Sequence, residues 1–156
     1  MSGGSMNHLY YQLDGYGSIS DEQMQSALLD EIGELNHELK GGWCWWKKTQ
    51  KEPDRAKVLE EFVDVVHFVL MWTLRKDALE AGRGVMTNFT IGFENGRADG
   101  YETVDYLASL LDDELPRLKG LMTKCLAKSL GFEWAEVYEA YKAKNAVNRQ
   151  RIQDNY

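Results

Sequence analysis

The chain has 156 residues, 44% hydrophobic and 28% charged, which suits one globular domain with one core. Its net charge of −7 sets up a field that repels nucleic acid and anionic membrane, so neither is expected as a partner. Two cysteines, Cys44 and Cys125, are too few for a disulfide framework and read as reduced, buried thiols of a cytoplasmic protein.

No charged-then-apolar leader opens the chain, and no apolar run approaches the length of a membrane span. Met1–Ser5 reads as an added remnant ahead of a native Met6, leaving 6–156 as a single all-α domain. The helical reading starts from the two prolines and the long stretches without turn signals.

Residues 7–20 are rich in Tyr, Gly and Ser and show no clear period. Ser20-Asp21-Glu22-Gln23 is a helix-start signal, with Ser20 as N-cap and Gln23 placed for a capping box. Met24, Leu28, Ile32, Leu35 and Leu39 follow at helical spacing, and Gly41-Gly42 is expected to stop this helix. Trp43 to Pro53 is a loop dense in Trp and Lys. Trp43 and Trp45 are expected to plug the core, and Trp46, next to Lys47 and Lys48, to stack on a planar ligand.

A second helix is expected from near Asp54 to about Glu80. Its centre, Phe62 to Trp72, is apolar almost all the way round, so it belongs inside the protein or between subunits. That girth predicts a homodimer with Val63, Val66 and Leu70 in the interface. Ala81–Gly100 holds five glycines and reads as a loop. A third helical region, about Tyr101 to Leu130, is expected to break at Pro116 and to end at Gly131. A fourth helix runs from about Glu133 to Gln153. The expected architecture is an all-α bundle with a four-helix core, completed by dimerisation.

Four carboxylates stand out. At roughly 100° per residue, Glu31 and Glu34 border the apolar stripe of the first helix, and Glu61 and Asp64 lie one turn apart on the second. Like charges at this spacing repel, and beside an apolar surface they also lose water without gaining partners. Mg²⁺ or Mn²⁺ relieves both penalties, since carboxylate oxygens are the preferred ligands of such hard cations. A solvated acidic face is the plainer alternative, and Glu38 and Glu60 fit it. Glu34-x-x-His37 and Asp64-x-x-His67 also invite comparison with di-iron bundles, but His37 points away from the stripe, and the further carboxylates from two other helices are missing. His67 reads as a core histidine or as an orienter of Asp64.

Near the C-terminus Lys144, Asn148 and Arg151 fall at i, i+4 and i+7 on one helix face, with Asn145 beside them. Two cations and an amide suit phosphate oxygens, and they also suit a basic helix end favoured by the helix dipole.

The order Glu31-Ile32-Gly33-Glu34, then Glu61-Phe62-Val63-Asp64, resembles the all-α nucleoside triphosphate pyrophosphohydrolase superfamily, which includes MazG-like proteins and the dimeric dUTPases. Trp43-Cys44-Trp45-Trp46-Lys47-Lys48 and the run Tyr141 to Arg151 resemble the dimeric dUTPase and phage dCTPase–dUTPase branch in particular. The likeness covers about Asp21 to Leu74 and Gly131 to Tyr156. The chain departs from the branch in having Ile152 ahead of Gln153-Asp154, Asn155-Tyr156 in place of Gly-Tyr, and little sequence before the acidic helix to read a base.

The resemblance implies hydrolysis of a dNTP, dUTP foremost, to the monophosphate and pyrophosphate. It implies two or three Mg²⁺ ions on Glu31, Glu34, Glu61 and Asp64, with Glu31 or Glu34 activating water. Phosphate contacts would come from Lys47, Lys144, Asn145, Asn148, Arg151 and Tyr156, and base contacts from Trp46 and Gln12. The alternatives are dCTP or another dNTP at the same site, and a helical interaction protein with no catalysis.

Overall fold

The computed structural model describes residues 19–80, 102–111 and 119–154. Gln12 and Asp14, the glycine-rich stretch 81–100, Pro116, and Asn155-Tyr156 lie outside the described residues. The described residues form helices α1 (Asp21–Glu38), α2 (Lys40–Trp43), α3 (Arg55–Glu80), α4 (Thr103–Ser109), α5 (Lys119–Ser129) and α6 (Trp134–Gln153), with no strand among them. The fold is an all-α bundle.

The boundaries have local chemical causes. Ser20 Oγ accepts from the Gln23 backbone N at 3.1 Å, and the Gln23 side chain accepts from the Ser20 N at 2.9 Å, so the expected capping box forms. Asp54 caps α3 by accepting from the Ala56 N at 3.0 Å. At the end of α5, Phe132 N donates to Ala127 O at 2.9 Å and Gly131 N to Lys128 O at 3.0 Å. That pattern needs Gly131 at φ 79°, a region where a side chain is strained.

The glycine pair at 41–42 behaves differently from expectation. The first helix ends at Leu39, and both glycines lie inside the next helical turn, α2. Gly41 is there for clearance, because a Cβ would collide with the Lys51 carbonyl as the loop folds back.

The core is built around α3. Met24, Leu28, Ile32 and Leu35 of α1 pack along it, α5 and α6 cover its other sides, and α4 packs on α5. Phe62 stacks on Phe132 with centroids 5.9 Å apart. Phe62, Val65, Val69 and Leu70 expose no surface, and burying each such side chain contributes roughly 1.5–3 kcal/mol. This corrects the interface expectation. Val63, Val66 and Leu70 are already buried within one chain, so the apolar girth of α3 serves the interior.

Candidate active site

Two pairs of contacts set the helix directions. Glu31 of α1 lies near Asp64 of α3, and Glu34 near Glu61, so the two helices run antiparallel and their acidic pairs face each other. Arg55 meets Glu136 and Asp64 meets Lys144, so α6 runs parallel to α3.

One carboxylate oxygen from each of Glu31, Glu34 and Glu61 lies within 4.8 Å of the others. Burial and the neighbouring charges of Asp64, Glu34, Glu61 and Asp30 push the Glu31 carboxyl up to about 7. Burial, then Glu34 and Asp64, also raises Glu61, which shares a hydrogen bond with Glu34. Asp64 stands outside this trio, since its Oδ2 accepts from Lys144 Nζ at 3.0 Å, with both side chains part-buried. An all-oxygen donor set that holds protons against its own repulsion fits a hard divalent cation.

The other candidates are placed as follows. His37 is exposed on α1. His67 is buried between the rings of Phe68 and Tyr141, and burial together with nearby Lys144 lowers its imidazole to about 4, so it is neutral. Neither histidine joins the oxygen cluster found among the described residues. On α6, Asn145 is buried, Asn148 is half-buried and Arg151 is exposed. Lys47 is exposed in the Trp loop, Glu60 is exposed on α3, and Glu38 is half-buried at the end of α1.

The Trp loop overturns one expectation. Trp43 and Trp45 do not plug the core, being 39% and 86% exposed, and Trp46 is 58% exposed. The three rings pack on one another, with Trp46 at 5.9 Å from Trp43 and 4.7 Å from Trp45. Trp43 Nε1 anchors the group by donating to Asn36 O at 2.9 Å. Cys44 fills the buried place instead.

Two residues not singled out by the sequence turn inward on α6. Tyr141 Oη and Arg149 Nη2 are covered and have no hydrogen-bond partner among the described residues. Burial pushes the Tyr141 phenol up to about 12, against a smaller opposing pull from Arg149. Their spacing with Asn145, at 141, 145 and 149, is a helical stripe that could have marked them as inward-facing.

Among the described residues the fold is all-α, and carboxylates from two antiparallel helices meet in a site suited to a hard divalent cation. The chain belongs to the dUTPase family, which it matches over residues 8–156, and it is a dUTP diphosphatase-like enzyme, a nucleotide pyrophosphohydrolase. The match also takes in the residues before Asp21 and those between 74 and 131, which the motifs alone did not reach. Comparison with curated proteins and with solved structures returned no match. The family is typically metal-dependent, and the Glu cluster is the matching feature here. No helix among the described residues is long and apolar enough to cross a membrane.

Proposed function

We propose that the enzyme hydrolyses dUTP to dUMP and pyrophosphate with Mg²⁺ held by Glu31, Glu34, Glu61 and Asp64. The observation that carries this reading is the meeting of three carboxylates from α1 and α3, with one carboxyl raised to about 7, in a chain of the dUTPase family. When bound, two or three Mg²⁺ ions, or Mn²⁺ in their place, would neutralise the triphosphate and make water more acidic.

The chain's own residues do the rest. Glu31 or Glu34 takes a proton from the attacking water, and the raised Glu31 carboxyl suits that role. The water oxygen bonds to the α- or β-phosphorus, the attacked phosphorus loses its bond to the oxygen bridging the two, and pyrophosphate leaves dUMP. Lys144, Asn148 and Arg151, on one face of α6, hold phosphate oxygens together with Asn145, Lys47 and Tyr156. Trp46 stacks on the base, and Gln12 reads its edge. The resemblance to dimeric dUTPases favours a homodimer, which light scattering tests, a monomer refuting it.

A panel of dNTPs with Mg²⁺, followed by pyrophosphate release, tests the assignment. dUTP is expected to be turned over fastest. Faster turnover of dCTP or a purine dNTP would replace the substrate and keep the site, whereas no turnover of any nucleotide would refute the activity.

A further inference from the structure

Asp64 is claimed from two sides. It lies one turn on from Glu61 of the carboxylate cluster, on the same face of α3. Yet its Oδ2 is held at 3.0 Å by Lys144 Nζ, and the three oxygens that meet come from Glu31, Glu34 and Glu61 without it. We propose that Lys144 guards Asp64 in the cation-free enzyme and releases it to an arriving divalent cation, so that the freed ammonium turns to the triphosphate. The proposal rests on the reading of the carboxylates as a cation site and of the substrate as a nucleoside triphosphate.

Three features favour an exchange over a permanent ion pair. First, a divalent cation at the cluster attracts Asp64 and repels the ammonium, so one arrival acts on both halves of the contact. Second, the ammonium can leave without disturbing the core. The Lys144 side chain is 25% exposed and borders an open apolar groove of ≈ 300 Å³ between α3 and α6, beside Leu59, Val63, Ala140 and Ala143. Third, Lys144 shares its helix face with Asn148 and Arg151, so a released ammonium joins groups already suited to phosphate oxygens. Cation loading then strengthens nucleotide binding by freeing a lysine as well as by bridging the phosphates, and by linkage nucleotide strengthens cation binding equally.

The test is Mn²⁺ binding to the full chain by calorimetry, without nucleotide, across the parent, K144Q, D64N and the double variant. K142Q serves as the charge control, because Lys142 pairs with Glu139 at 2.8 Å on the exposed side of α6. K144Q is expected to tighten Mn²⁺ about tenfold, as befits loss of a part-buried competitor, and K142Q less than about twofold. In the D64N background the K144Q gain is expected to vanish, since nothing is left to compete for. An equal gain in D64N would reduce Lys144 to a plain field effect and overturn the exchange.

A second measurement follows the Lys144 ammonium by NMR, its signal identified by its loss in K144Q. Pairing and partial burial slow its proton exchange in the cation-free chain, and saturating Mg²⁺ is expected to abolish the signal. Its persistence overturns the exchange even if D64N binds no metal. Failure of every form, parent included, to bind Mn²⁺ removes the cation-site reading and the exchange together, whereas binding without the K144Q gain removes the exchange alone.

Discussion

Helix α3 is tied to α6 twice. At its start Arg55 meets Glu136 at 2.6 Å, with 59% and 32% of those side chains exposed, and two to three turns on Asp64 meets Lys144 at 3.0 Å, with 18% and 25% exposed. The first contact is closed on itself. Arg55 also donates to Gly131 O and lies over the Phe132 ring, while Glu136 accepts from the Glu133 N, so the pair and the turn joining α5 to α6 satisfy one another. The second is open, because the acid also stands one turn from a cluster of carboxylates with no ion pair of its own among the described residues. The lesson is that the meaning of an ion pair depends on what else needs its acid. A solvated pair that satisfies its own groups is a clasp, and a half-buried pair beside unpaired like charge is a competitor for whatever that charge attracts.

The sharpest way to break this contrast is at Glu61, one turn from Asp64. Glu61→Ala is expected to cut Mg²⁺-dependent pyrophosphate release by more than about a hundredfold, since even outer partners of metal ligands are worth about 10–100-fold. Glu136→Gln, at the other tie, should leave kcat unchanged. Full activity in the Glu61 variant would remove the carboxylates from the mechanism.

Between the two ties lies the stack of Phe62 on Phe132. Phe62→Ala removes a fully buried ring and is expected to destabilise the fold by about 3–5 kcal/mol in urea melts, loosening both ties together. A loss below about 1 kcal/mol would mean that α3 is not packed as described.

Acidity separates the regions next. In cation-free protein the Glu31 carboxyl stands at about 7 against an ordinary 4.5. Protonated Glu31 therefore adds stability that is complete below 4.5 and is lost as pH rises to about 7. Neutral His67, lowered from 6.5 to about 4, acts oppositely: its contribution is complete above 6.5 and is lost as pH falls toward 4. Glu31→Gln removes the first slope and leaves the second. The variant should lose stability on acidification from 6.5 more steeply than the parent, measured by urea melts in chelator. Parallel profiles would contradict the raised carboxyl.

The smallest effect is expected at the exposed clasp. Arg55→Gln should shift the melting midpoint less than any other change here, and raising the salt concentration should shrink the difference further. Mn²⁺ affinity should not change. A large loss would show that the turn joining α5 to α6 depends on this pair.

Much of the fold and the cluster could be read from order and spacing. The Ser20–Gln23 box, the stop at Gly131 and the core stripe of α1 depend on groups within a few residues of one another, so the local chain specifies them. The acidic pairs were visible for the same reason, as i, i+3 neighbours on helices with one apolar side. The errors share a different cause. Gly41-Gly42 looked like a stop because glycine stops helices locally, but Gly41 gives clearance to the Lys51 carbonyl, which no local pattern encodes. Trp43 and Trp45 looked like core because indoles usually are, yet a hydrogen bond to Asn36 and mutual packing hold them on the surface. The apolar girth of α3 suggested Val63, Val66 and Leu70 for an interface, and α1, α5 and α6 cover the helix from within.

By itself, then, the sequence determined that the protein is helical, where several of its helix ends fall, and that Glu31-x-x-Glu34 and Glu61-x-x-Asp64 are acidic pairs on helices, because capping and periodicity act over a turn or two of chain. Only the tertiary structure decided how those carboxylates divide. The antiparallel pairing of α1 and α3 brings Glu31, Glu34 and Glu61 to one point, and the parallel α6 lays Lys144 against Asp64. That division depends on through-space electrostatics between residues far apart in the chain, and no spacing rule within one helix contains it.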